Sequence, residues 1–161
     1  MGASTLRIAT WNTKQAVAPR KPLDDLWRWI EDRIDPDVIV LTEARVPETA
    51  PPAGWSAFWH PGGIGPRRRW GTVVAARGLE LIDVATISHE RAPVALQFHW
   101  PGTVVAADVV VNGSVWATVV GVYAITEDLE GAKCGHGGHS LKRSLRDLQP
   151  LFSSDRAARL T

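Results

Sequence analysis

The sequence has few or none of several features, and each absence excludes a class of protein. It has a single cysteine, Cys134, which cannot form a disulfide within the chain and so favours a reducing compartment. The net charge is only +1, which gives no strong overall field to attract nucleic acid. No apolar run is long enough to span a bilayer, and no charged-then-apolar leader opens the sequence. We therefore expect a cytoplasmic protein with no membrane partner.

What is present is typical of a folded domain. Apolar residues make up 45% of the 161 residues and charged residues 22%, which suits one domain with a real core. Eight tryptophans accompany one tyrosine, so large aromatic packing residues are frequent. No linker or repeat divides the sequence, and we expect a single domain over residues 1–161.

The first third of the sequence has a strand, helix, strand pattern. Residues 6–12 form an apolar run that ends at Asn12, and residues 22–34 place apolar side chains at helical spacing. Pro22 suits the start of that helix, and Asp35-Pro36 predicts its end. The run "DVIVLTE" that follows is almost continuously apolar, which is typical of a strand covered on both faces. This pattern predicts two strands joined by a crossover helix.

The middle of the sequence loses the helical period and becomes rich in strands. Five segments have strand composition between Gly and Pro signals: "WSAFWH", "WGTVVAA", "ELIDVATI", "PVALQFHW" and "TVVAADVVV". Asn112-Gly113 separates the last of these from "SVWATVVGVYA", and Asn-Gly between β-rich runs strongly indicates a tight hairpin.

A second helix is predicted near the end of the sequence. Ser140 can cap "LKRSLRDLQ", whose Leu141, Leu145 and Leu148 are predicted to share one face. Pro150 is expected to end or kink this helix, and "SSDRAARL" to begin a further short turn.

In their order, five segments resemble the endonuclease/exonuclease/phosphatase superfamily, which includes DNase I-like nucleases and inositol-phosphate phosphatases. The segments are "LRIATWNTKQ", "DPDVIVLTEAR", "RRRWGTVVAARG", "WATVVGVYAITED" and "HSLKRSLRDLQPLF". Each alone is a weak signal, and the order and spacing together carry the resemblance. The family's later Gly-Asp-Phe-Asn and Ser-Asp-His type motifs have no counterpart here. The resemblance therefore implies the N-terminal half of such a domain, C-terminally incomplete.

The resemblance implies a fold and its partners. It indicates an α+β fold, with an antiparallel-dominated β-sheet and helices against one face, like one half of the four-layer α/β-sandwich of the family. The inner face of that sheet would then lack its normal partner. Such an uncovered face predicts self-association or a complementing polypeptide.

The resemblance also implies site residues. Glu43 corresponds to the family's metal-binding Glu, for Mg²⁺ or Mn²⁺, and Asn12 and Tyr123 correspond to its catalytic Asn and Tyr. A divalent ion would neutralise charge on a phosphoester, an amide can orient phosphate without adding negative charge, and a phenol can bond a phosphate oxygen. Each residue also has an ordinary interpretation: Asn12 as a turn residue, Glu43 as a strand-end carboxylate near Arg45, and Tyr123 as a core aromatic.

Two further groups are candidate substrate contacts. Arg67, Arg68 and Arg69 lie in a Gly/Pro-rich segment and can meet phosphates, although such a run is more often a solvated loop. His136 and His139 lie in the glycine-rich "CGHGGH" with Cys134, but three ligands fall short of the four in a closed zinc site.

Two functions follow as expectations. The first is a metal-dependent phosphoesterase-type hydrolase, nuclease-like or phosphatase-like, acting on a phosphoester that can be nucleic acid, and weak or inactive alone. The second is a non-catalytic binding or assembly module that keeps the same scaffold.

Overall fold

The structure is a computed structural model, and it describes residues 5–13, 23–44, 51–59, 71–89, 92–98, 102–123 and 141–154. Within these ranges the chain is mostly β, with two short helices. The elements, in chain order, are β1 (Ile8–Asn12), α1 (Leu23–Trp29) with a π-helical turn (Ile30–Ile34), β2 (Val38–Ala44), β3 (Trp55–Trp59), β4 (Gly71–Arg77), β5 (Glu80–Asp83), β6 (Thr86–His89), β7 (Ala92–Ala95), β8 (Val104–Val111), β9 (Ser114–Val122) and α2 (Leu141–Phe152).

The strands form two main sheets and one small one. A mixed four-stranded sheet has the order β1-β2-β4-β3, in which β1 and β2 are parallel and the other pairs antiparallel. An antiparallel three-stranded sheet has the order β5-β8-β9, and β6 pairs with β7. The predicted strand, helix, strand opening is confirmed, because a crossover through α1 leaves its two strands parallel neighbours. The broad α+β prediction is also confirmed.

Two sheets and two helices pack in four layers. Leu26 and Ile30 from α1 and its π-helical turn pack on Ile39 and Leu41, on one face of the four-stranded sheet. The opposite face packs directly on the three-stranded sheet, and this inner cluster comprises Val38, Val40, Val74, Ala76, Leu81, Val105, Ala107, Val109 and Val119. Because apolar faces of both sheets are buried against each other, the expectation of a wholly uncovered inner face is wrong.

The helices lie on opposite sides of this sandwich. Leu148 and Leu151 of α2 pack with Val104 and Ala106, on the outer face of the three-stranded sheet. The expectation that both helices cover one face is therefore wrong. The reason is that each sheet has two apolar faces, and the second sheet already occupies the inner one.

The hairpin prediction is confirmed. Val111 pairs with Ser114, so Asn112 and Gly113 form a two-residue turn between β8 and β9. Their φ angles are 51° and 74°, the left-handed pair that a type I′ turn requires. Asn and Gly tolerate this conformation better than other residues, which is why the sequence signal was reliable.

The details of α2 differ from its prediction. Ser144, Leu148 and Leu151 form its buried face, whereas Leu145 is exposed. The helix continues through Pro150 to Phe152 because a proline so close to the end removes only one late N–H. The Ser153 N–H donates to the Gln149 carbonyl, so helical bonding resumes after it. Ser140 and residues 155–160 lie outside the described residues, and neither described helix has the length and apolarity to cross a membrane.

A network of charged side chains lies at the end of the four-stranded sheet where β1 and β2 begin. Asp35 ends the π-helical turn with φ 50° and accepts hydrogen bonds from Arg77 and, at 2.7 Å, from Arg7. The Arg7 main-chain N–H donates to Asp37 Oδ2 at 2.7 Å. The Arg77 hydrogen bond, and then the Arg7 one, lower the pKa of Asp35. This network lies at the opposite end of the sheet from Asn12.

Stability should depend on Asp35 in a defined pH window. A carboxylate with a lowered pKa stabilises the fold fully above its unfolded pKa of about 3.9, and this contribution is lost as pH falls through the folded pKa. We expect Asp35→Asn, which tolerates the same φ, to be less stable than wild type near neutral pH. Between about pH 6 and about pH 3, the difference in unfolding free energy should stay constant down to about pH 4 and should shrink below it. Urea unfolding across this range measures it, with the exposed Asp32→Asn as control. A difference that stays constant with pH would contradict the assignment.

Candidate functional site

Two polar side chains meet where β1 and β2 end. The strands are parallel and adjacent, with Asn12 in register with Thr42, so their carboxyl ends lie at the same edge. Asn12 Nδ2 donates to Glu43 Oε1 at 3.1 Å. Asn12 is exposed and Glu43 is half-buried. The prediction that these side chains meet at the ends of neighbouring strands is confirmed.

Glu43 has an unusual backbone. Its φ is 53°, in the left-handed region, although it lies within a strand and is not a glycine. The ladder between β2 and β4 is irregular between Leu41 and Ala44, as expected where a bulge interrupts the pleat. Such a conformation costs about 1–3 kcal/mol and persists only when the surroundings hold it. Side chains along a regular strand alternate between the two faces of the sheet. The irregularity breaks this alternation at Glu43 and directs its side chain toward Asn12.

Thr13 helps to hold this conformation. Its N–H donates to the Thr42 carbonyl at 3.0 Å, which extends the β1–β2 ladder by one residue. Its hydroxyl lies 3.2 Å from the Thr42 carbonyl and 3.1 Å from the Glu43 carbonyl, and its one hydrogen can be donated to either. Sequence reasoning missed Thr13. The only available signal was a hydroxyl residue directly after the strand-ending asparagine.

Tyr123 lies at the same end of the sandwich. Gly121, two residues earlier, packs so closely on the four-stranded sheet that an added Cβ would lie 2.8 Å from Val40 Cγ1 and 2.7 Å from Thr72 Cγ2. Gly71 pairs with Ala44, so Thr72 lies at the Glu43 end of β2. Thr72 bonds the Thr103 carbonyl, which also accepts the Tyr123 N–H, so the chain beyond Gly121 runs toward the Glu43 end. The predicted placement of Tyr123 at that end is confirmed, and its catalytic role stays a prediction.

Main-chain hydrogen bonds join the two sheets at this end. Thr72 on β4 donates its N–H to the Gly102 carbonyl at 2.7 Å and its hydroxyl to the Thr103 carbonyl at 3.0 Å. The same Thr103 carbonyl accepts the Tyr123 N–H at 2.7 Å. Thr103 directly precedes β8, so these bonds tie β4, β8 and the end of β9 together.

The other predicted contacts are not placed by the structure. Five candidate residues lie outside the described residues: Arg67, Arg68, Arg69, His136 and His139. Across the described ranges, no group of three or more His, Cys, Asp or Glu side chains is arranged to hold a metal ion. What the described residues bring together at the strand ends is therefore one carboxylate, one amide and, at the same end, one phenol.

Comparison with known proteins gives no relatives. No protein-family description, no curated protein and no solved structure matches this chain.

Proposed function

We propose that this chain is a metal-dependent phosphoesterase-type hydrolase domain, nuclease-like or phosphatase-like, as its resemblance to the endonuclease/exonuclease/phosphatase superfamily implies. One observation carries the proposal: the Asn12–Glu43 hydrogen bond at the ends of two parallel strands. An amide bonded to a carboxylate fixes the direction of that carboxylate without adding negative charge. The strained Glu43 backbone supports the same conclusion, because strain of this kind concentrates at functional sites.

The residues at the strand ends suit parts of phosphoester hydrolysis. That reaction needs charge neutralisation on the phosphate, an aligned water and help for the leaving oxygen. Glu43 would hold Mg²⁺ or Mn²⁺, which supplies the charge neutralisation when bound. Asn12 orients the Glu43 carboxylate, and the hydroxyl of Tyr123 is a donor for a phosphate oxygen.

The donor atoms of Glu43, Asn12 and Tyr123 are expected to bind a metal ion only weakly. Mg²⁺ keeps several waters and is commonly held by one or two carboxylates together with substrate phosphate. Glu43 supplies one carboxylate, and no further acidic side chain among the described residues completes a group of three around it. We therefore expect millimolar rather than micromolar metal affinity. We also expect only weak hydrolysis by the isolated chain, above background but far below that of a complete enzyme, because the family's general base and second acidic ligand have no matching positions here.

The test is metal binding at Glu43, measured separately from turnover. A titration with Mn²⁺, monitored by electron paramagnetic resonance, should show weak binding. Glu43→Gln should lower the Mn²⁺ affinity about tenfold or more. Glu80→Gln, a matched loss of one carboxylate on an exposed residue of β5, should leave it unchanged. Equal Mn²⁺ affinity in wild type and Glu43→Gln would contradict the metal assignment.

The alternative function is a non-catalytic binding or assembly module, which the small donor set among the described residues keeps open. Plasmid nicking and a chromogenic phosphodiester assay with Mg²⁺ or Mn²⁺ distinguish the two. Turnover above background that Glu43→Gln abolishes supports the hydrolase. Mn²⁺ and phosphodiester binding that depend on Glu43, without turnover at any protein concentration, support the binding module.

A further inference from the structure

The two sheets of the sandwich do not end at the same place. On the inner faces, β3 lies against β5, β4 against β8 and β9, and β2 against β9. The four-stranded sheet continues beyond β2 to β1, while the three-stranded sheet stops at β9. In the described part of the chain, β1 therefore extends one strand position beyond the second sheet. We call β1 the overhanging strand.

The side chains of the overhanging strand show the same offset. Ile8 is in register with Val38, and the two lie side by side on the inner face of the sheet. Val38 is fully buried under the second sheet, whereas Ile8 is 52% exposed. Thr10, on the same face, is also exposed. An apolar β-branched side chain on a sandwich face is thus left uncovered, because none of the described strands lies opposite it.

In the sheets formed by the described strands, β1 and β9, on either side of this gap, are both edges. On β1, the Arg7 carbonyl and the Thr13 N–H point toward β2, so by alternation the main-chain groups of Ile8 and Thr10 point away from it. On β9, the Tyr123 N–H points toward β8, so the main-chain groups of Val120 and Val122 point away. Each edge offers a ladder to a further strand.

We propose that this overhang is the interface of a homodimer in which β1 of each copy pairs with β9 of the other. The two-fold axis would run parallel to the strands and between the two overhanging strands. Each four-stranded sheet would then continue into the three-stranded sheet of the second copy. The two overhanging strands would face each other across the core, and Ile8 would become buried against the second copy. The symmetry is closed, so association stops at two.

The offset argues against the two simpler edge pairings. If β9 paired with β9 of a second copy, the overhanging strand of one copy would occupy the position of β2 of the other. If β1 paired with β1 of a second copy, the two overhanging strands would lie side by side in one sheet. No strand of the second sheets would lie opposite them, and both Ile8 side chains would stay exposed. Only the β1–β9 arrangement fills each gap with the overhanging strand of the other copy.

The direction of the strands fixes a further property of the dimer. β1 ends at Asn12 and β9 ends near Tyr123, at the same end of the sandwich, so the new β1–β9 ladders are parallel. A two-fold axis along the strands keeps both sites at one end. Tyr123 of the partner subunit would therefore lie beside Asn12. The dimer does not depend on the proposed hydrolase function, because it rests on sheet order, edges and exposure alone.

The oligomeric state tests the proposal. Sedimentation equilibrium of the full chain should give twice the monomer mass of 17.6 kDa. Ile8→Lys should give a monomer, because two buried ammonium groups would face each other across the axis. Ile82→Lys is the matched control: Ile82 is 45% exposed on β5, at the far edge of the three-stranded sheet, and this variant should remain a dimer. Circular dichroism establishes that both variants fold. A wild-type monomer at about 100 μM, or equal masses for the two variants, would overturn the proposal.

Amide hydrogen exchange distinguishes this dimer from others. The amides of Ile8, Thr10, Val120 and Val122 should all gain protection as protein concentration rises, and Ile8→Lys should remove it. Protection confined to β1 or to β9 would indicate a like-with-like edge pairing and would contradict the proposal.

Discussion

Replacing Gly121 with alanine is expected to destabilise the protein by about 1–3 kcal/mol, although alanine is ordinarily the better strand residue. The added Cβ would lie 2.7 Å from Thr72 Cγ2 and 2.8 Å from Val40 Cγ1, well inside normal contact. Both neighbours are β-branched side chains whose χ1 freedom is restricted, so they cannot swing aside cheaply. The sheets must separate locally, and denaturant unfolding at one fixed protein concentration measures the cost.

Repeating Gly121→Ala in a variant with smaller neighbouring side chains shows whether steric crowding causes the loss of stability. Thr72→Ser removes the offending methyl group and keeps the hydroxyl that bonds the Thr103 carbonyl, and Val40→Ala removes the other contact. In the Thr72→Ser/Val40→Ala background, Gly121→Ala should cost little or become stabilising, because the new methyl fills space that the background creates. An undiminished cost in that background would mean that β9 tolerates no side chain there for another reason.

Truncating Leu148 to alanine is expected to cost about 2–5 kcal/mol, the usual range for a fully buried leucine. Its side chain is 1% exposed and packs between α2 and the outer face of the three-stranded sheet. Leu145→Ala, on the same helix but 49% exposed, should change stability by less than about 0.5 kcal/mol. Thermal or urea unfolding of the two variants measures the contrast.

This comparison decides which face of α2 is docked. The sequence period alone placed Leu141, Leu145 and Leu148 on one face, whereas the structure buries Ser144, Leu148 and Leu151. Equal losses for Leu145→Ala and Leu148→Ala would support the face predicted from sequence. A loss confined to Leu148→Ala supports the face described here.

The sequence predicted well where local chemistry decides the structure. Asn112-Gly113 demands a left-handed turn that few other residues tolerate, so the β8–β9 hairpin could be read directly. The apolar runs around α1 predicted two parallel strands, and with them the meeting of Asn12 and Glu43. These features depend on residues close in sequence, or on one crossover whose handedness and length are restricted.

The sequence predicted poorly where long-range packing decides. Nothing local indicates that the strands after residue 80 turn back to cover the four-stranded sheet, or that α2 crosses to the far side. The left-handed Glu43 was equally hidden, because glutamate has no intrinsic preference for that conformation and only the surrounding ladder imposes it. Thr13 was missed because its role is to bond carbonyl groups on a neighbouring strand.

The carbonyl groups of Gly102 and Thr103 have a consequence for how the sandwich can deform. Apolar packing between two sheets is non-directional, so it resists separation far more than it resists sliding of one sheet over the other. The two hydrogen bonds from Thr72 to these carbonyls cross from one sheet to the other and are directional, and the bond from Tyr123 to Thr103 continues the β8–β9 ladder beside them. They fix the shear register of the sheets at the end that carries Asn12 and Glu43. At the far end, beside Asp35, the two-residue link Gly78-Leu79 joins β4 of one sheet to β5 of the other. The sheets are therefore held against sliding at both ends, by the chain itself at one end and by directional hydrogen bonds where the polar side chains meet.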